Sequence, residues 1–560
     1  MRTTYDYIII GAGSAGCAVA GRLADAGAGS VALVETGGHD HSKVVTTPIG
    51  IAAMVPKPGP FNYGFTTEPQ PALNNRRGYQ PRGRGLGGSS SINGMIYIRG
   101  TPSDYDHWAD LGCEGWAWQD VLPYFKKAEC NVRLGGREED ALHGGRGPLH
   151  VADTRSTNPF DHRFLEAAEA AGFPYNHDFN GDRQEGVGFY QRTMRDGERW
   201  NSARAYLHGG KTDSLNGGRR NLDVQVNATV LRILFEGRRA AGIVLMRDGR
   251  EQTVLAQREI ILCGGAFGSP QLLMASGIGP AAHLREMGID VVHNAPGVGQ
   301  NLQEHPLVKL HHRLFSIDLM AKSLPGGLRL LSEWLKYRRS RDGMLAATIS
   351  ETGGFVKSHP GLAEPDLQLH FAPNLSDKAH LSRHGYSCIV YVLRPHSRGA
   401  VWLASPDTRV APVIHQNLLA DPRDMETLLA GTRIVRRIFD QAPLARMGGK
   451  PYFDAHLRFD GSDDDAVRDM LRQRTDIAFH PAGTCRMGDD PASVVDPQLR
   501  VRGVENLRVA DCSIMPTLNG GNTNAPAIMI GEKAADLVLG VMRAGNDLRS
   551  KHPQADAALA

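Results

Sequence analysis

"YDYIIIGAGSAGCAVAGRLADAGAGSVALVETGG", Tyr5–Gly38, reads as strand, tight turn, helix and second strand. Ile8, Ile9 and Ile10 make a continuous apolar run, as in a strand covered on both faces. Gly11, Gly13 and Gly16 then give G-x-G-x-x-G, with Ser14 inside the turn. The first glycine permits the turn, the second lets a pyrophosphate approach the backbone, and the third lets helix and strand pack closely. The free N–H groups at the helix start face the phosphates. The second strand, "SVALVE", ends on Glu35, where a carboxylate can accept hydrogen bonds from a ribose diol. An acid there disfavours a 2′-phosphate, which leaves NAD and FAD. The stretch predicts an α/β fold built on a Rossmann-like dinucleotide-binding domain.

The rest of the composition suits that reading. At 560 residues the chain has room for more than one domain of roughly 100–200 residues each. Its 63 basic and 60 acidic residues nearly balance, so charge gives no argument for nucleic acid as a partner. The 65 glycines point to more functional loops than one. The seven cysteines are scattered, with no Cys-x-x-Cys, which argues against a disulfide framework and against zinc. The histidines show no ligand spacing, so no metal is expected. "MRTTYDYIII" turns straight into a strand, and no apolar run reaches the length of a membrane span. A cytoplasmic location is the expectation.

A second glycine loop, "GRGLGGSSSINGMIYIRG" from Gly83 to Gly100, lacks the Gly-Lys-Ser/Thr ending of a phosphate-binding P-loop. Unlike a flexible linker it runs into apolar, strand-like residues. It resembles the first signature of the glucose–methanol–choline (GMC) oxidoreductases, FAD enzymes that oxidise alcohols. "GAFGSPQLLMASGIG" from Gly265 resembles their second signature. "FHPAGTCRMG" from Phe479 and "NLRVADCSIMPTLNGGNTNAPAIMIGEKAADL" from Asn506 resemble their C-terminal motifs. "NYGFTTEPQPALNNR" and "DVLPYFKKAE" point to the choline dehydrogenase and bacterial alcohol dehydrogenase branch.

The resemblance implies FAD contacts at Gly85, Gly88, Asn93, Gly94 and Met95 around the flavin ring. It implies further contacts at Val230 through its backbone, at Ala266 near the pyrophosphate, and at Asp511, Asn522 and Thr523. Relatives with covalently attached flavin carry histidine where this chain has Ile92, so the resemblance implies non-covalent FAD. It also makes His480 the catalytic acid/base, with Asn524 as its partner. Histidine suits removal of a hydroxyl proton near neutral pH, and an amide can hold the substrate oxygen. Cys485 reads as buried and structural, and His305 in "NLQEHP" as a structural residue at a domain edge.

The implied architecture is a two-domain α/β (α+β) fold. The expected division is an FAD-binding domain over 1–310, a substrate domain over 311–470 and a return to the FAD domain over 471–545. Residues 546–560 read as a tail. In the middle segment "DLQLHFAP", "SCIVYVLRP" and "GAVWLAS" read as strands of an antiparallel sheet, and "METLLAGTRIVRRIFDQ" as a flanking helix. "GGLRLLSEWLKYRRSRDG" supports two readings: a helix peripheral to the inner face of an anionic membrane, or a substrate-domain helix with a solvated face. Glu351 is a second open case, either facing the pocket, where it would suit choline, or structural.

The expected reaction oxidises a primary alcohol to an aldehyde, with hydride passing to flavin N5. Electrons then go to a non-nicotinamide acceptor: a quinone, an electron-transfer chain or an artificial dye. The alternatives are an oxidase using O2, a lyase or decarboxylase on the same fold, and a redox-inert dinucleotide-binding module. Oligomeric state is left open.

Overall fold

The computed structural model describes residues 2–540, except 156–157, 209–213, 322, 349, 376–382 and 453–462. The expected tail lies outside the described residues. In chain order the positioning elements of the first half are β1 (Thr4–Ile10), α1 (Ser14–Asp25), β2 (Val31–Val34), β3 (Gly186–Phe189), β4 (Leu222–Gln225), β5 (Thr229–Glu236), β6 (Arg239–Arg247), β7 (Arg250–Leu262) and α2 (Gly265–Ala275). They continue with β8 (Pro306–Arg313), α3 (Leu324–Ser340), β9 (Thr352–Val356), β10 (Leu367–Ala372), β11 (Gly385–Val392), α4 (Pro422–Phe439), β12 (Leu507–Val509) and α5 (Asn524–Leu539).

The first sheet runs β4-β2-β1-β7-β6-β5. β1 lies between β2 and β7, parallel to both, which explains why Ile8, Ile9 and Ile10 are all apolar and buried. β7 is shared along its length. Its first half pairs antiparallel with β6, and Ile260–Leu262 pairs parallel with β12, brought back from the far end of the chain. The β1–α1 turn depends on two glycines. Gly11 has φ +100°, and a Cβ on Gly16 would sit 1.9 Å from the Gly11 carbonyl oxygen. α5 lies as close on α1: a Cβ on Gly531 would approach the Ala15 carbonyl oxygen to 2.5 Å. Arg22 of α1 ties the pair through Glu532 and Asp536 of α5.

The second sheet is antiparallel, in the order 450–451, β8, β11, β10, β9, β3, with 476–477 also on β8. α4 covers it. Its Leu428, Val435, Ile438 and Phe439 are buried at helical spacing, and Gly431 lets the helix approach Val390 of β11. Each sheet has its own apolar core. The expected α/β class with an antiparallel substrate sheet and flanking helix is met.

Two boundaries differ from the sequence reading. The substrate sheet takes β3 from inside 1–310 and residues 476–477 from inside 471–545, so neither domain is continuous in the chain. "GAVWLAS" is not in the substrate sheet, because Ala400–Trp402 pairs with Val413–His415 in a separate hairpin. Among the described residues no helix is long and apolar enough to cross a membrane.

Candidate active site

One cavity of about 2020 Å³ runs between the two sheets. At one end it is walled by the β1–α1 turn, with Gly11, Gly13, Ser14 and Glu35 in its lining. α1 starts without a side-chain cap or an acid in its first turn, so its N–H groups are left for a ligand. Glu35 is buried. Its Oε1 accepts from the backbone N–H of Gly37 (2.8 Å) and Gly85 (2.9 Å), and its Oε2 from that of Ala12 (3.0 Å). Burial pushes its carboxyl above the usual range, and those three N–H groups oppose the shift.

The second glycine loop lies on the first. The backbone N–H of Gly87 donates to the Ala12 carbonyl (2.8 Å), and that of Leu86 to the Gly38 carbonyl (3.0 Å). A Cβ on Gly88, where φ is +51°, would meet the Gly13 Cα at 2.7 Å, so the loops touch backbone to backbone. Gly88, Asn93, Gly94 and Met95 line the cavity, and nothing stands within 4 Å of a Cβ built on Gly94. The Asn93 Oδ1 is taken by Arg199 (2.8 Å) and the Met95 N–H (3.0 Å).

Val230, Ala266, Asp511, Asn522 and Thr523 complete the wall. Asp511 braces the start of α2, accepting from the Gly265 N–H (2.8 Å) and the Ser269 hydroxyl (2.6 Å). Gly16 and Gly85 are not in the wall. They act one layer back, Gly16 through the α1 contact and Gly85 by donating to Glu35.

His480 lies in the wall after Phe479, a non-glycine residue held at φ +66°. Left-handed backbone at a bulky residue costs on the order of 1–3 kcal/mol and persists only where its surroundings impose it. Here Arg82 imposes it, donating to the Phe479 carbonyl (2.8 Å) and to Ser89 Oγ of the glycine loop (2.8 Å). The His480 N–H donates to Glu304 Oε1 (2.7 Å), its Nδ1 lies 3.0 Å from His305 Nδ1, and its Nε2 lies 3.2 Å from Asn522 Nδ2. The Asn522 Oδ1 in turn accepts from Gln368 (3.2 Å), which reaches His370 (3.0 Å), and His370 reaches the Tyr391 hydroxyl (2.8 Å).

Burial dominates the electrostatics of this cluster. It drives His480 well below the ordinary imidazole range, reinforced by His305, His370 and Arg82. His305 and His370 are each pushed down to about 3, and Glu304 is pushed up to about 8, all first by burial. The imidazoles are neutral at physiological pH, and so, largely, is the Glu304 carboxyl.

Several expectations meet a different geometry. Asn524 is not beside His480. It is the first residue of α5, and its Oδ1 accepts from Ser14 Oγ (2.8 Å), while Asn522 holds the place expected of it. His305 lies where the chain enters the substrate sheet, directly before β8, and also stands against His480, 3.0 Å away. Glu351 does not face the cavity: it is buried against Arg192 (3.1 Å) and accepts from the Thr348 N–H (2.8 Å). Cys485 is buried with its thiol pushed well up, as an inert structural cysteine would be. Among the described residues, Asp40, His41 and His208 come within metal-ligand range of one another, away from this wall. The Asp40 oxygens are already held by His208 (2.9 Å) and Asn201 (2.9 Å).

An uncapped α1 start beside the buried Glu35, two glycine loops in backbone contact and a half-buried histidine held neutral, all on one cavity, are the features of a dinucleotide-dependent oxidoreductase. The cavity exceeds the roughly 300–1,000 Å³ of ordinary small-molecule sites, as a dinucleotide with a substrate requires. The GMC oxidoreductase family models match residues 5–307 and 395–531, and the chain belongs to that family. It is 44% identical over 543 residues to the alcohol dehydrogenase [acceptor] of Pseudomonas putida, covering 96% of each chain. It is 42% identical over 546 residues to the oxygen-dependent choline dehydrogenase of Sinorhizobium medicae (strain WSM419), covering 96% of this chain and 95% of that one. Its structure matches the FAD-dependent oxidoreductase from Chaetomium thermophilum with a TM-score of 0.85 at 26% identity, over 96% of this chain and 100% of that one. As an enzyme of this family it uses FAD to oxidise CH–OH donors.

Proposed function

We propose that the enzyme oxidises an uncharged primary alcohol to its aldehyde, with His480 as the base, and passes the electrons to an acceptor other than a nicotinamide. The observation that carries this is the half-buried His480, held far below the ordinary imidazole range, with Asn522 3.2 Å from its Nε2, in the wall of a dinucleotide-sized cavity. Only one tautomer serves. With the proton on Nδ1, His480 donates to His305 Nδ1 and keeps its Nε2 lone pair for the alcohol hydroxyl. His305, kept neutral by burial, is available as that acceptor. Glu304 fixes the backbone of His480, and Arg82 fixes the residue before it. The Asn522 amide donates to the alcohol oxygen as negative charge develops there, while its own oxygen is held by Gln368. Gly11, Gly13 and Ser14 of the first glycine loop and Gly88, Asn93, Gly94 and Met95 of the second would hold FAD, non-covalently since Ile92 offers no attachment atom, and FAD would supply the hydride acceptor.

The preference for an uncharged substrate comes from the wall. Its carboxylates among the described residues are Glu35, Glu68, Asp476 and Asp511. Glu35 and Asp511 each accept from three backbone or hydroxyl donors, Glu68 pairs with Arg77 (3.1 Å), and Asp476 lies near Lys309 (3.9 Å). None is without a donor or a cation of its own to offer a quaternary ammonium an unpaired charge. Tyr391, its ring 6.2 Å from that of His480, and His370 share the wall with it. Anaerobic mixing of the FAD-loaded enzyme with aliphatic, aryl and sugar alcohols and with choline tests the reading. Flavin bleaching by uncharged alcohols supports it, and bleaching by choline alone overturns it. The oxygen-dependent relative favours O2 as a second acceptor; rapid reoxidation in air with H2O2 release would select it over a quinone.

A further inference from the structure

α3 carries its apolar stripe on the wrong side for a helix that packs on a core. Residues three and four apart share a helix face. Leu324, Leu328, Leu331 and Leu335 therefore form one row, and they are 82, 67, 57 and 57% exposed. The opposite side faces the protein. Gly326 and Tyr337 are buried there, the Tyr337 hydroxyl donates to the Gly197 carbonyl (3.1 Å), and Glu333 accepts from the Met344 N–H (2.7 Å). A surface helix ordinarily turns its apolar stripe to the core and its charges to water.

The apolar surface continues past the row. Trp334 flanks it, with the Arg338 guanidinium 4.9 Å over its ring. Phe315 and Ile317, 72 and 60% exposed, extend it at the helix start. That loop is pinned to the helix: His384 reaches the Ser316 carbonyl (2.6 Å) and Ser323 Oγ (2.8 Å), and Arg329 pairs with Asp318 (3.0 Å).

Charge selects the occupant. Lys336, Arg338 and Arg339 are exposed, and the single acid of the helix, Glu333, is turned inward. A second copy of the chain, stacked through this row, would set its arginines against these. We propose that α3 lies on an anionic lipid bilayer, with the leucine row in the acyl boundary and the three cations among the headgroups. The inner side of the same helix gives Gly326, Arg329 and Leu330 to the cavity wall. A lipid-dissolved alcohol or acceptor would thus meet the cavity at the membrane; that consequence rests on the proposed function, whereas the docking itself does not.

Sedimentation of the FAD-loaded enzyme with vesicles tests the docking. Binding is expected to phosphatidylcholine vesicles containing phosphatidylglycerol, weaker by about fivefold for each cation removed in Arg338→Gln and Arg339→Gln. Leu328→Glu, Leu331→Glu and Leu335→Glu together should cut binding more than roughly tenfold while leaving turnover with a soluble dye unchanged. The arginine variants keep the row intact and give a second reading should the leucine variant fold poorly. Absence of wild-type binding to the anionic vesicles, or unaltered binding by both sets of variants, would overturn the proposal. So would a dimer in ultracentrifugation that the leucine changes dissolve.

Discussion

Asn522 and Asn524 stand two residues apart in "GNTNAP", and the structure gives them unequal work. Asn522 holds its amide 3.2 Å from His480 Nε2, where the reacting oxygen must come. Replacing it by alanine removes a preoriented donor to developing negative charge, a loss of roughly 10²–10³ in rate. Asn524 starts α5 and accepts one hydrogen bond from Ser14 at 2.8 Å. Replacing it by alanine forfeits about 1 kcal/mol, which is about fivefold in FAD retention, with little change in chemistry. Anaerobic stopped-flow reduction of bound FAD by a saturating alcohol isolates the chemical step, and titration with FAD isolates retention. Asn522→Ala should then be slow with its flavin in place, and Asn524→Ala fast with its flavin more loosely held. The opposite pattern, with a slow Asn524→Ala and a near-normal Asn522→Ala, would refute the assignment.

Further outcomes follow from the same geometry. Because burial keeps His480 neutral far below its ordinary range, flavin reduction should stay level from pH 8 to pH 6; a fall through roughly 6.5, the free imidazole value, would mean the base is solvated. Glu304 has a folded pKa of about 8 against 4.5 for the free group. A raised carboxyl stabilises the fold least once pH exceeds both values, so Glu304→Gln should gain stability over wild type by about 1.4 kcal/mol per pH unit between those limits. Denaturant midpoints at pH 5 and pH 8 read that gain, and an equal offset at both would count against it. Ile92 is buried beside Val45 and Met54 and offers no attachment atom, so acid precipitation should leave the flavin in the supernatant; flavin in the pellet would mean a covalent link.

The dinucleotide half of the fold could be read because its signal is local. Strand, turn, helix and acid follow within Tyr5–Gly38, and each glycine answers to a backbone contact at its own position. His480 could be read from its motif for the same reason. Its neighbours could not. Glu304 and His305 reach it from the two residues before β8, and His370 from β10, an approach created by antiparallel pairing far from "FHPAGTCRMG". The Asn522/Asn524 exchange is a matter of where the helix begins: the first helical residue is held against α1, and the turn before it is what enters the site. Glu351 looked free because its partner, Arg192, is 159 positions away and buried with it. The substrate sheet hid β3 because it is only four residues long, Gly186–Phe189, and its partner β9 begins much further along the chain, at Thr352.

The central claim is that His480 is the base for alcohol oxidation in this cavity. Single-turnover reduction of FAD-loaded His480→Ala by an alcohol that bleaches the wild-type enzyme tests it most directly. The account predicts the same flavin content and a reduction rate lower by roughly 10²–10⁴. Bleaching at the wild-type rate would contradict it.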